Sequence, residues 1–207
     1  MLAAVPLGIW RAHSLDAPSV ASVGQRPMVQ SATTRSGDNS ARYLALRAAD
    51  EYPATSPPLR VKIPRLAVSA AVLPVGLDKS RAVQIPPDIR DVGWYQLGVP
   101  PGAFRGSAVL VGHRDGREQG HGAFYDLGLL DVGDRITVTN AAGQVLAYRV
   151  VARESISKRR LPYKELFAVD GKPRLTLISC GGIYDPNNGG YQDNVVVTAV
   201  RDFASNS

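Results

Sequence analysis

The sequence predicts an all-β fold, a barrel or sandwich of many short strands. Three observations carry this. From residue 59 onward, apolar residues fall at every second position or in short unbroken runs. Those runs are separated by Gly, Pro and Asp at close intervals. Helical patterning is confined to a few short pieces. A hydrophobic content of 44% in 207 residues is enough for one globular domain with an appended tail.

Taken in order, residues 1–58 read as an apolar stub and a linker. Residues 1–10 are apolar but contain Pro6, and they fall short of the about 20 residues a membrane span needs. They also lack the positively charged start of a signal peptide. Residues 11–58 are dominated by Ser, Ala, Thr, Arg, Asp and Pro, the composition of a disordered tether. A short helix is expected at 41–52, ended by Pro53, Pro57 and Pro58.

The folded domain is expected at 59–203, with a tail at 204–207. Leu59, Val61 and Ile63 alternate with Arg60 and Lys62, a half-buried strand stopped by Pro64. Strands follow at 68–75 and, briefly, 82–85. Trp94 is an aromatic anchor for packing. Residues 108–111 form a continuous apolar run, as in a central strand covered on both faces. Residues 114–121 are a loop in which His121 is solvated. One or two helical turns are expected at 123–130, then strands at 135–139 and 145–155. A turn at 169–173 leads into a strand at 174–179, and 194–201 closes the domain. Residues 183–190 read as a turn or gate, without the acidic ligand pattern of a calcium loop.

A net charge of +6 favours acidic surroundings: phospholipid, wall polyanion or nucleic acid. No zinc spacing, phosphate loop or helix-turn-helix pattern supports nucleic acid. The basic residues Lys158, Arg159, Arg160 and Lys164 read first as a solvated face, and second as a contact to wall or membrane phosphate. The sole cysteine excludes an internal disulfide.

That cysteine, Cys180, ends the run Leu175-Thr176-Leu177-Ile178-Ser179 and precedes Gly181 and Gly182. The two glycines allow a sharp turn and leave space beside the sulfur. Most free cysteines are small buried hydrophobes. A second stretch of the same construction, Val109-Leu110-Val111-Gly112-His113, changes that expectation. Two strands ending in Cys and His bring thiol and imidazole together when they are neighbours in a sheet, which is a standard route to a reactive thiolate.

These residues resemble a known family. LTLISCGG at 175–182 and VGHRDG at 111–116 are similar to the signature strands of sortases, the cysteine transpeptidases of Gram-positive cell walls. Similar segments occur in the same order at 59–78, 85–95, 122–139 and 191–200. The CGG and the Y-x-D-N-V-V-V ending resemble class F, the actinobacterial group. The resemblance implies an eight-stranded barrel with short helices. It implies Cys180 as nucleophile and His113 as acid and base, with neither metal nor organic cofactor. The implied partners are secreted proteins with an L-P-x-T-G-like sorting signal, cut between Thr and Gly, and an amine of a peptidoglycan precursor or pilin as acceptor. The implied location is the extracytoplasmic face of the membrane, anchored through the N-terminus.

Sortases usually place an arginine on the strand after the cysteine, or in the loop before it, to stabilise the oxyanion. Here residues 181–200 contain neither Arg nor Lys, and Arg201 stands far along its strand. Arg114 and Arg117 rank first as replacements, ahead of the backbone amides after Cys180 and the side chains of Gln192 and Asn194. The departure leaves two further readings open. One is an inactive barrel that binds peptide or wall polymer. The other is a cysteine hydrolase that releases its acyl group to water.

Overall fold

The computed structural model describes residues 21–26, 56–116 and 118–203. The expected apolar stub at 1–10, helix at 41–52 and tail at 204–207 lie outside them, as does Arg117. The strands are β1 (Val23–Gly24), β2 (Pro58–Ile63), β3 (Val68–Val75), β4 (Val92–Tyr95), β5 (Ser107–Gly112), β6 (Asp115–Gly116), β7 (Gly120–His121), β8 (Arg135–Asn140), β9 (Val145–Ser157), β10 (Arg174–Asp185) and β11 (Gly190–Arg201). One helical turn, α1 (Tyr163–Leu166), and short 3₁₀ turns complete the described chain. Among the described residues no helix is long and apolar enough to cross a membrane.

Eight strands pair in the order β9-β11-β10-β5-β4-β3-β2-β8, and β8 pairs back onto β9. The sheet is therefore a closed barrel, which leaves no long edge. β1 adds to β9 outside this circuit, Val23 opposite Arg153. Most neighbours are antiparallel, but β5 and β10 run parallel, as do β3 and β4.

The alternation read in the sequence sorts side chains between two cores. Val61, Ile63, Val72, Val92, Leu110, Leu177 and Val197 fill the barrel interior. Val109, Val111, Ile178 and Val196 face outward, where Leu166 of α1 covers them. β5 is thus buried on both faces, as its unbroken apolar run predicts. Each fully buried Val or Leu contributes about 1.5–3 kcal/mol. Thr176, on the outer face of β10, is buried without penalty because its hydroxyl bonds that of Ser107 at 2.8 Å.

Several expectations are corrected. Leu59 is 54% exposed, because the β2–β8 register slips between Pro58 and Arg60 and turns it out. Residues 82–85 form no strand. Leu77 and Val83 make an isolated bridge around a turn in which the Asp78 carboxylate accepts from the Ser80 and Ala82 amides. Within 123–130 the expected helical turn is present as the 3₁₀ turn Leu127–Leu129, and Phe124, Leu127 and Leu130 are buried. The largest difference follows Cys180. β10 does not end there but continues to Asp185, through a bulge between Gly181 and Tyr184, and pairs with β11 to the hairpin tip. The glycines that read as a turn form that bulge, Gly182 taking the left-handed φ of 74° that suits glycine.

Candidate active site

Strand register brings the two signature stretches together. In the parallel pair β5–β10, Val111 lies opposite Ile178. His113 and Cys180 each follow two residues later, at the same end of adjacent strands, and neighbouring strands lie about 4.8 Å apart. On its other side Cys180 lies opposite Asn194 of β11. Arg201 is seven residues further along β11, about 23 Å away at strand rise. It sits at the far end of the barrel against the Tyr148 and Phe203 rings.

Cys180 is half-buried at a groove of ≈ 570 Å³. The walls are mainly apolar: Leu77, Val83 and Ile85 from the segment after β3, Tyr95 from β4, and Leu161, Tyr163 and Phe167 around α1. Polar groups are few, chiefly Ser179, Asn194, Lys158 and Arg81. Such a cleft, apolar with a few convergent polar groups, suits an extended peptide. Burial pushes the Cys180 thiol up from its ordinary range. Lys158 opposes that rise, Asp115 adds to it, and Arg114 opposes it again.

His113 is held from two directions. Its carbonyl accepts from the Phe124 amide at 3.0 Å, and Phe124 is buried in the interior core. Its ring Nε2 lies 3.0 Å from the Pro86 carbonyl oxygen. A carbonyl only accepts, so Nε2 carries hydrogen and Nδ1 is left as the nitrogen able to exchange a proton. Among the described residues the ring's hydrogen-bond partner is Pro86, not the thiol.

The oxyanion candidates separate clearly. Arg114 does not point to solvent; its side chain is 17% exposed. Its guanidinium lies 5.2 Å from the Tyr125 ring centroid and 5.3 Å from that of Tyr191. Its Nε is 3.9 Å from Asp115, and Tyr191 donates its hydroxyl to the same carboxylate. Burial, then the bond to Asp115, push the Tyr191 phenol up to about 12, with Arg114 opposing. Because β10 lies between β5 and β11 in the sheet, this Arg114–Asp115–Tyr191 cluster ties the histidine loop to β11 across the cysteine strand. Gln192 is spent on the hairpin: its amide nitrogen donates to the Asn188 and Gly190 carbonyls. Asn194 lines the groove. Lys158, discounted in the sequence as part of a solvated run, also lines it, whereas Arg159 and Arg160 are exposed. His121 is exposed, as expected, and stacks on Tyr125. Trp94 packs against the interior core, its Nε1 donating to the Val99 carbonyl.

Comparison with known proteins agrees with this architecture. The chain is similar to sortase C-1 of Actinomyces oris, at 22% identity and a TM-score of 0.54, over 86% of this chain and 90% of that one. It is similar to sortase A of Corynebacterium diphtheriae at 21% identity and 0.54, over 87% and 78%. It is also similar to Streptococcus agalactiae sortase C1, in its complex with MTSET, at 21% and 0.55, over 72% and 68%. At such identities the likeness speaks for the fold. No curated protein matches the sequence. The sortase-domain family profile matches residues 61–202, more than half of the chain and the whole of the closed barrel after the first residues of β2. On that match, and with the barrel and its Cys-bearing and His-bearing strands in place, this chain belongs to the sortase family, whose members are cysteine transpeptidases.

Proposed function

We propose that this protein is a sortase-type transpeptidase with Cys180 as nucleophile and His113 as acid and base. The observation that carries the reading is the parallel β5–β10 register, which delivers both residues to one end of the sheet beside a peptide-sized apolar groove. The Cys180 thiolate adds to the carbonyl carbon of a sorting signal of the L-P-x-T-G kind, between Thr and Gly. The C–S bond forms and the carbonyl electron pair moves to oxygen. Collapse restores the carbonyl and breaks the C–N bond, and His113 gives the leaving amine its proton. An incoming amine of the wall, with His113 taking its proton, then releases the thioacyl enzyme. The CGG and Tyr191-Gln192-Asp193-Asn194 segments support a class F assignment, and the net charge of +6 is in keeping with work at the extracytoplasmic face of the membrane.

The test is intact-mass spectrometry after incubation with an L-P-x-T-G peptide, with and without an oligoglycine amine. The reading expects an acyl adduct on wild type that Cys180→Ala lacks, and a transfer product when the amine is present. Adduct resolved only by water points to a hydrolase. Absence of any adduct favours a peptide-binding barrel, the reading that the basic-free stretch of β11 before Arg201 supports.

A further inference from the structure

Negative charge develops twice in the proposed reaction, on the sulfur and then on the carbonyl oxygen. A half-buried apolar groove offers little water to solvate it, so a fixed donor is needed. β11 supplies no cation between Gly190 and Val200, and Arg201 stands at the far end of the barrel. Arg114 is clamped between two tyrosine rings and set against the Asp115 carboxylate. The two charges offset each other, and their effects on the thiol are opposite in sign. Gln192 has its amide engaged in the hairpin.

Lys158 is placed differently. Cys180 lies opposite Asn194, and Asn194 lies opposite Ile156 of β9. Lys158 follows Ile156 by two residues, so its backbone stands two strands across and two residues along from Cys180, about 12 Å away. It approaches over β11, the strand on which the family's arginine is expected. The four-carbon stem of lysine spans much of that gap. Its side chain shares the groove lining with Cys180. Among the described residues no hydrogen bond or ion pair of Lys158 is found, and no carboxylate lines the groove. The groove's other cation, Arg81, is exposed. Lys158 is half-buried, and an anion forming beside a cation in an apolar groove is stabilised more than it would be in water.

We propose that Lys158 supplies the positive charge against which the Cys180 thiolate and the tetrahedral oxyanion form. The role rests on the acyl-transfer reading and requires no proton to leave the lysine, which accompanies the charge from sulfur to oxygen and back. The groups that face the thiol are then sorted by task. Arg114 and Asp115 brace the histidine loop, His113 moves the proton, and Lys158 holds the charge.

The test uses Lys158→Met, Lys158→Arg and, for comparison, Arg114→Met, each checked for an unchanged fold by circular dichroism. Two readouts are taken: single-turnover thioacylation by an L-P-x-T-G peptide, and the pH profile of Cys180 alkylation by iodoacetamide, which needs no sorting peptide. Lys158→Met is expected to slow thioacylation by about 100-fold or more, the scale for loss of an oxyanion donor. It is expected to move the alkylation midpoint to higher pH, while Lys158→Arg stays within about tenfold of wild type on thioacylation. Lys158→Met within threefold of wild type on both readouts overturns the proposal, as does an alkylation midpoint raised further by Arg114→Met than by Lys158→Met. If wild type forms no peptide adduct, the transpeptidase reading fails on its own, and the alkylation profile decides whether Lys158 serves the thiol. A raised midpoint in Lys158→Met supports that role, and an unchanged one overturns it.

Discussion

Replacing Gly112 by Ala tests how the core holds the histidine. A Cβ built at Gly112 falls 2.6 Å from Phe124 Cδ2 and 2.8 Å from Cγ. Ordinary carbon contacts are about 3.5–4.0 Å, so the ring must retreat by about 1 Å. Phe124 is fully buried among the interior residues, with no solvent side to move into. Overpacking of this kind costs about 1–3 kcal/mol. The upper half of that range is expected, because the Phe124 amide also donates to the His113 carbonyl and the backbone resists the shift. In a domain of this size each kcal/mol moves Tm by about 2–4 °C, so Gly112→Ala should melt about 4–12 °C below wild type. The assay is thermal and urea unfolding of wild type, Gly112→Ala, Phe124→Leu and the double variant. Phe124→Leu alone opens a small cavity and costs about 1–2 kcal/mol. In the double variant the shorter leucine can draw its Cγ and Cδ atoms back into the vacated ring space, away from the new methyl, so it should be more stable than the sum of the singles by about 1 kcal/mol or more. Strict additivity, or a Gly112→Ala protein within about 0.5 kcal/mol of wild type, refutes the reasoning.

Three more expectations concern the site and the β1 strand that adds to β9. His113→Asn should slow peptide cleavage by about 100-fold or more, and ¹⁵N NMR of wild type near neutral pH should find the neutral ring protonated at Nε2; protonation at Nδ1 would contradict the Pro86 hydrogen bond. Burial raises the Cys180 thiol, with Lys158 opposing, so alkylation should reach half its limiting rate above the ordinary thiol range. A raised folded value means that folding favours the protonated thiol: the stabilisation is present below the ordinary thiol value and lost as pH rises through the folded one, and Cys180→Ala should remove that alkaline loss in denaturant titrations. Gly24→Ala should release β1, since φ is 72° there and a Cβ would lie 2.0 Å from the Val151 carbonyl oxygen. Hydrogen exchange at residues 22–24 should then accelerate at least tenfold while 174–179 stay protected, and unchanged exchange at β1 would show the fit to be looser than drawn.

Much of the site was legible because it is built from short-range pattern. The apolar runs before Cys180 and His113 mark strands buried on both faces, and their order matches a family. Arg201 could be placed out of reach by counting along its strand. What lay hidden depends on pairing between strands. Gly181 and Gly182 suit a turn and a bulge equally well, and only the partner strand decides that β10 runs on to Asp185. Lys158 looks like its neighbours Arg159 and Arg160 until the Cys180–Asn194–Ile156 register turns it into the groove. The two residues of β1 carry no alternation to read. Leu59 alternates correctly with Val61 and Ile63, but a slip in a register set by β8 overrules it.

The β1 strap also settles where a mechanical load enters the barrel. Residue 23 is paired to β9, the Ala21 carbonyl accepts from Arg153 of β9, and Arg26 forms ion pairs with both Glu154 of β9 and Glu165 of α1. Tension applied to the chain upstream of Ala21 is therefore borne first by β9, in shear along the β1 pairing, and reaches α1 through Arg26. Tyr163 and Phe167, at either side of that helical turn, are wall residues of the groove. A pull applied there is thus expected to reach the groove that Cys180 lines before it reaches β2, the next strand in sequence.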